Sequence, residues 1–345
     1  MRSYSTAIAE SSSFAYAGPT ALTVRRISDE PIVAADTVPG YGPIFNAGLI
    51  RHDGFFHLFA RGVRDSYRRN DGPGPLFLDY VSDVLVFTST DGFSFAFQQV
   101  LARGSPDDVD SYEDPRVQRV RSGSDEQVVM SYTNLPSPDS GLPWRVGVHR
   151  LFYEDGRFHL DPTSGRVVSP AGTKDKDAVI FNLRDGRVGL IHRMHPNIQL
   201  AIFESLEELS SPPKGYWESH VRDLEAHTLI RPATGALGVG AGAPPVATEA
   251  GLLLFFHERE ADNRYTTKVA LLDEESGRVR KLLPDPIMRP ELPWECFGDI
   301  DNIIFVQGAV PRPDGTIYLT YGAADRCVGA ASVATSGLLE ALGSA

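Results

Sequence analysis

The sequence predicts an all-β fold, a five-bladed β-propeller, on three observations: one long repeat, hairpin signals inside each repeat unit, and scarce helical periodicity. Five segments open on a polar residue or a glycine, run through β-branched and apolar residues, cross a turn and end near His, Arg or Tyr. They are NAGLIRHDGFFHLFAR from Asn46, EDPRVQRVRSGSDEQVVMSYTN from Glu113, KDAVIFNLRDGRVGLIHR from Lys176, GAGAPPVATEAGLLLFFHE from Gly240 and DIDNIIFVQGAVPRPDGTIYLTYGAAD from Asp299. With Asn46, Asp114, Asp177, Gly242 and Asp301 as markers, the spacings are 68, 63, 65 and 59 residues. A period of that length marks a modular β architecture, in which neighbouring units complete one another's core and strand ends from every unit meet at one place.

Within each unit the two runs are expected to pair as antiparallel strands. The turns His52-Asp53-Gly54, Arg184-Asp185-Gly186 and Pro313-Asp314-Gly315 carry the Asp-Gly signal that supplies positive φ in tight hairpins, and Gly123 and Gly251 mark the other two. Further strands follow at VLVFTSTDGFSF from Val84, RVGVHRLFYEDGRFHL from Arg145, IQLAIFES from Ile198, TTKVALLD from Thr266 and VGAASVA from Val328. Each unit then holds about four strands, the content of a propeller blade. A modular sandwich is the alternative, but it does not account for one period running through nearly the whole chain. The expected organisation is one domain over residues 1–345, with blades near 40–110, 111–172, 173–235, 236–297 and 298–335 and the terminal segments closing the ring. Helix is confined to SLEELSSPP from Ser205 and SGLLEALGSA at the C-terminus, where Leu338, Leu339 and Leu342 share a face suited to packing. The stretch from Gly62 to Val81 is the longest polar connection within a blade, and it fits a lid, a partner contact or a solvated excursion.

Bulk composition narrows the function. A hydrophobic content of 42% is enough to bury a core without metals or disulfides, and Cys296 and Cys327 are too few for a disulfide framework, which points to a reducing cytoplasmic setting. Neither a leader-like N-terminus nor a bilayer-spanning apolar run is legible. With a net charge of −12 and no basic cluster beyond Arg61, Arg64, Arg68 and Arg69, the chain is unsuited to nucleic acid or anionic membranes. An anion that binds here is therefore small and sits in a local basic pocket.

Blade-opening strands line the channel of a propeller, so the repeat brings Asn46, Arg61, Asp114, Arg116, Lys176, Asp177, His192, Arg193, His257, Asp301 and Asp325 toward one mouth. Carboxylates among cations and imidazoles suit a sugar, which needs many directed hydrogen bonds and a carboxyl group for proton transfer. Each residue also has an ordinary reading: Asp114-Pro115 as a turn starter, Asp177 and Asp301 as backbone caps, His257 as a satisfied core histidine. The signal lies in the set. The His pairs His192/His195 and His52/His57 lack the face-sharing and carboxylate partners of a metal site, so no metal is expected. Gly238-Val239-Gly240-Ala241-Gly242 enters a strand through Pro244-Pro245 and is no phosphate loop.

Placed side by side, these segments resemble glycoside hydrolase family 130, five-bladed propellers that include β-mannoside phosphorylases and related β-mannosidases. The resemblance spans Asn46 to Ala330 and rests on NAG with FAR at Asn46–Arg61, YEDPRV from Tyr112, KDKDAVIF from Lys174, HR at His192, GAGAPPV from Gly240, FFHE from Phe255 and YGAAD from Tyr321. It implies a single domain, frequent homo-oligomers, and an oligosaccharide substrate cleaved with inversion to α-mannose 1-phosphate. Asp114 is then the general acid, passing its proton through a sugar hydroxyl. Asn46, Arg61, Tyr112, Arg116, Asp301 and Asp325 fall to the sugar, and Lys176, Arg193, His257 and Tyr265 to inorganic phosphate, the co-substrate; no other cofactor is implied. Two departures leave hydrolysis open. Lys176-Asp177 stands where many members carry Arg-Asn, and Gly238 where many carry a phosphate-binding Lys; a hydrolase would use Asp177, Glu258 or Glu295 to activate water. A non-catalytic carbohydrate-binding propeller is the reading from another class.

Overall fold

Alternation of apolar and polar residues in the repeats builds five twisted antiparallel sheets, each the length of one repeat unit. The computed structural model describes residues 22–105, 112–123, 125–136 and 141–343. Most of the N-terminal stretch assessed as a leader lies outside them. Blade I runs from the channel outward as Tyr41–His52, Phe55–Arg64, Ser82–Ser89 and Ala96–Ala102. Blade II follows as Tyr112–Ser122, Asp125–Asn134, Arg145–Glu154 and Arg157–Leu160. Blade III is Lys176–Asn182, Val188–Arg193, Ile198–Phe203 and Thr228–Ile230. In blade IV the first strand is split into Gly238–Ala241 and Val246–Thr248, both paired with Gly251–Arg259, before Tyr265–Leu272 and Val279–Leu282.

Blade V takes three strands from the C-terminal end, Ile304–Pro311, Thr316–Ala323 and Cys327–Ala334, and its outermost strand, Val24–Arg26, from the other end of the chain. First strands of successive blades touch all the way round, blade V to blade I included, so the ring is closed. Arg26 locks the seam. Its Nε and Nη2 donate to the two carboxylate oxygens of Glu295 at 2.7 Å each, and Tyr321 Oη donates to the same residue at 2.7 Å.

Five apolar clusters fill the five gaps between blades. Phe59 and Met130 are buried between blades I and II, Ile180 and Leu190 with Val129 between II and III, and Ile191 with Leu254 between III and IV. Phe255 and Leu319 lie between IV and V, and Leu58, Phe87 and Tyr318 between V and I. Each such side chain contributes about 1.5–3 kcal/mol of transfer free energy. Blade-to-blade packing therefore carries the stability and leaves the channel free for polar groups.

The first strands kink at the channel. Register breaks fall between Phe45 and Gly48, Glu113 and Arg116, Lys176 and Val179, and Val306 and Gly308. In three of these bulges one residue is left-handed: Asn46 (φ 46°), Asp114 (φ 52°) and Asp177 (φ 51°). Asn and Asp tolerate that region better than other side chains, and a bulge re-aims the side chain it carries. The fifth repeat differs from expectation. Its strand starts at Ile304, so Gln307 occupies the bulge and its Nε2 donates to the carbonyls of Asn46 (2.6 Å) and Pro115 (2.8 Å). Asp301 instead lies exposed in the preceding loop, where Oδ1 accepts from the Gly298 amide at 3.1 Å. The expected helices form at Leu206–Ser210 and Thr335–Gly343, while Tyr216–Arg222, Leu224–His227 and Pro293–Cys296 were not signalled by periodicity. No helix among the described residues is long and apolar enough to cross a membrane.

Candidate active site

Asp114 sits at the bulge of blade II and is almost fully buried. Its Oδ1 accepts from Asn46 Nδ2 at 2.8 Å and from Arg61 Nη1 at 3.3 Å. Both donors use one oxygen, and Oδ2 accepts neither of these bonds. Arg61 also pairs with Glu113, and its guanidinium lies 4.9 Å from the Phe45 ring centroid and 5.1 Å from that of Tyr80. Gly322, within the YGAAD segment, permits this arrangement: a Cβ there would stand 1.9 Å from Asn46 Oδ1.

On the neighbouring blade the bulge presents Asp177, fully buried among cations. Its Oδ2 is 2.9 Å from Arg193 Nε and 3.5 Å from His257 Nε2, and its Oδ1 is 3.5 Å from Arg116 Nη2. Burial pushes this carboxyl up, but Arg193, Lys176, His257 and Arg116 outweigh it and hold it well below the ordinary range. His257 is driven down to about 3, by burial first and by Arg193, Arg116 and Lys176, against the pull of Asp177, so it is a neutral ring. Tyr265 packs beside it, ring centroids 5.7 Å apart, its phenol raised by burial. Lys176 is half-buried with Nζ 5.3 Å from the Trp144 ring centroid. Blade IV contributes space rather than charge: a Cβ at Gly240 would stand 2.3 Å from Asp177 Oδ2 and 2.4 Å from the His257 ring.

Asn46 Oδ1, Arg61 Nε and His257 Nδ1 are buried in this region with neither a hydrogen-bond nor an ion-pair partner. Buried polar groups are paired as a rule, so such a concentration points to a ligand that completes them. Among the described residues no group of three or more His, Cys, Asp or Glu is arranged to hold a metal ion.

Several residues stand apart from expectation. Arg116 is fully buried and its guanidinium is committed to the Asp114 carbonyl (2.9 Å), the Gly242 and Ala241 carbonyls (2.9 and 3.0 Å) and Asp177, so it ties blade II to blade IV rather than facing a sugar. Tyr112 lays its ring against Tyr132 at 4.7 Å, in the apolar layer between blades I and II. His192 turns to the opposite face of its strand from Arg193, because successive strand residues alternate sides. Two carboxylates weighed as water-activating bases are also spent. Glu258 pairs with Lys268 at 2.6 Å and accepts the Ala233 amide, and Glu295 belongs to the Arg26 seam.

Sequence reading missed Glu113 and Tyr80. Glu113 follows an aromatic in a strand and gave no separate signal; burial pushes its carboxyl up against the pull of Arg61. Tyr80 lies at the end of the long Gly62–Val81 connection, and burial, opposed by Arg61 and reinforced by Glu113, Asp325 and Asp114, raises its phenol well above the ordinary value. It stays a neutral donor. That connection folds back over the site through Tyr67, whose Oη donates to Asp299 at 2.5 Å, and through Arg69, bonded to the Asp299 carbonyl. Length alone left a lid, a partner contact and a solvated excursion open; which ring returns to Arg61 depends on the path of the loop.

Asp325, half-buried beside Arg61, has its carboxyl pushed up to about 7 by burial first, with Asp114 and Glu113 adding and Arg61 and Lys176 opposing. A raised carboxyl favours the folded state at low pH, and that advantage is lost as pH rises through about 7. Asp325→Asn is therefore expected to melt with the parent at pH 4 and above it at pH 8. Solvent on the open side limits the gain to about 1–2 kcal/mol, or about 1–3 °C. Calorimetry at the two pH values checks this, and equal melting points at pH 8 would contradict it.

A buried carboxyl group bonded to Asn46 and Arg61, and a carboxylate ringed by cations on the next blade, meet at the channel of a five-bladed propeller, and comparison with known proteins places this arrangement in a carbohydrate-active family. The chain belongs to glycoside hydrolase family 130, whose model, described as beta-1,4-mannooligosaccharide phosphorylase, matches residues 22–343. It is 28% identical over 323 residues, 90% of this chain and 97% of the relative, to a 1,2-beta-oligomannan phosphorylase of Thermoanaerobacter sp. (strain X514). It is 29% identical over 320 residues, 89% of this chain and 96% of the relative, to a beta-1,2-mannobiose phosphorylase of the same strain. Among solved structures, a beta-1,2-mannobiose phosphorylase from Listeria innocua in complex with beta-1,2-mannobiose superposes with a TM-score of 0.72 at 19% identity, covering 93% of this chain and 99% of the other.

Proposed function

We propose that the protein cleaves β-mannosides by inverting phosphorolysis to α-mannose 1-phosphate, with β-1,2-linked mannobiose as the first substrate to test. The observation that carries this reading is the pairing of two adjacent bulges, an acid at Asp114 and a cation-lined pocket around Asp177. Asp114 Oδ2 gives its proton, through a sugar hydroxyl, to the glycosidic oxygen as the C–O bond breaks. Phosphate, held between Lys176, Arg193, His257 and Tyr265, forms the new bond at the anomeric carbon from the opposite face, and its proton restores Asp114. Electrostatics favour an anion even with Asp177 in place. Arg116, Lys176 and Arg193 surround the one carboxylate inside the pocket while His257 is neutral, so cations outnumber it where the ligand would sit. The mannosyl ring falls to Asn46, Arg61, Asp325, Glu113 and Tyr80.

Hydrolysis is the second reading, favoured by one feature: the Asp177 carboxylate lies inside the cation ring, where it would activate water. One experiment separates them. The protein and Asp177→Asn are incubated with β-1,2- and β-1,4-mannobiose, with and without phosphate. Phosphorolysis requires turnover only with phosphate, release of mannose 1-phosphate, and a lower KM for phosphate in Asp177→Asn, because a repulsive charge is gone. Release of free mannose without phosphate, abolished in Asp177→Asn, would establish hydrolysis instead.

A further inference from the structure

His192 and Asp175 lie just behind the anion pocket and take no part in it directly. Asp175, fully buried, immediately precedes Lys176, and its backbone amide donates to the Trp144 carbonyl at 2.9 Å. Its carboxylate accepts the Arg193 amide at 3.2 Å and faces His192 Nδ1, 3.0 Å from each oxygen. The Asp177 bulge explains why this clasp is needed. Lys176 pairs with Arg193 in the ladder, but regular pairing resumes only at Val179 with Ile191, so the strand ends carrying both cations are held by a short, interrupted ladder.

The clasp continues outward. His192 Nε2 is 3.2 Å from His220 Nε2, on the Tyr216–Arg222 helix, and the His220 ring stacks on His227 with centroids 4.0 Å apart. With a carboxylate facing Nδ1, that nitrogen of His192 carries a proton, and a single proton bridges the two Nε2 atoms. Both rings are buried, so the chain Asp175, His192, His220 has a fixed geometry rather than a solvated one.

We propose that Asp175 and His192 are positioning residues for the anion pocket: Asp175 holds the Arg193 backbone next to Lys176, and His192, braced by His220, holds the Asp175 carboxylate in place. This rests on the phosphorolysis reading, since its purpose is to keep Lys176 and Arg193 converged on phosphate. It predicts an effect on phosphate alone, because the sugar-facing groups Asn46, Arg61 and Asp114 belong to blades I and II.

Isothermal titration of inorganic phosphate into the full-length parent, His192→Leu and His192→Asn tests it, with circular dichroism melts as a folding check and steady-state kinetics in parallel. His192→Leu removes the donor and is expected to weaken phosphate binding about tenfold, with the KM for mannoside at saturating phosphate unchanged. His192→Asn puts an amide nitrogen where Nδ1 stands and is expected to stay within about twofold of the parent. If His192→Leu does not fold, Asp175→Asn takes its place, offering one acceptor oxygen to two donors; weaker phosphate binding supports the proposal and unchanged binding overturns it. A parent that binds phosphate equally with His192→Leu, or an Asn variant as weak as the Leu variant, overturns the positioning role alone. A parent that binds no phosphate and releases mannose overturns phosphorolysis, and the positioning role with it.

Discussion

Asp114→Asn is expected to fold as the parent does and to lose at least about a thousandfold in kcat on a β-mannoside with phosphate present. The substitution isolates the proton. Asn keeps the side-chain shape, tolerates the left-handed backbone of this bulge, and still offers Oδ1 to Asn46 Nδ2 and Arg61 Nη1. What it lacks is a transferable proton on the other arm. Single-turnover kinetics beside a thermal melt make the comparison. Turnover near the parent level would remove Asp114 from the chemistry; a parent that releases no sugar, with Asp114→Asn binding mannosides as before, would revive a purely binding propeller.

The largest loss of stability is expected at the seam of blade V, where Arg26 meets Glu295. Glu295→Gln replaces a carboxylate that is fully buried and receives Arg26 Nε and Nη2, Tyr321 Oη and the Glu291 and Leu292 amides. A neutral amide offers one acceptor oxygen to these five donors and leaves the Arg26 charge only the exposed Glu291 carboxylate as an ion-pair partner. Breaking one side of such a pair costs about 3–5 kcal/mol, and a denaturant titration reads it directly. Activity of the folded fraction at low temperature is expected to match the parent. A variant that is stable yet inactive would instead support Glu295 as a water-activating base.

Fold and site were legible to different depths, for physical reasons. The repeat exposed the blades because every module must solve the same packing problem, which places a buried apolar residue just past the bulge of the first strand at Leu49, Val117 and Val179. Bulge residues showed up where side-chain chemistry and backbone demand coincide: Asn46, Asp114 and Asp177 are polar and also tolerate positive φ. Gln307 fills the same place in blade V without a left-handed backbone, so the marker drifted to Asp301, an acid in the loop just before the strand. Motif spacing located Arg116 and His192 near the site but not the direction of their side chains, which depends on strand alternation and on what lies across the gap. Glu113 and Tyr80 escaped because their relevance comes from Arg61, a residue distant in sequence whose guanidinium meets both.

The seam in blade V also sets an order of events. During synthesis Val24–Arg26 leaves the ribosome long before its partners Ala331–Val333, so the earliest strand waits for the latest before the circle can shut. Asp325, carried on the last blade, reaches Arg61 and Asp114 only at that moment. A nascent or truncated chain therefore holds the Asp114 carboxyl without the neighbours that surround it in the closed ring. Assembly of the Asp114 surroundings becomes a certificate of completed topology, issued when Val24–Arg26 and Ala331–Val333 meet.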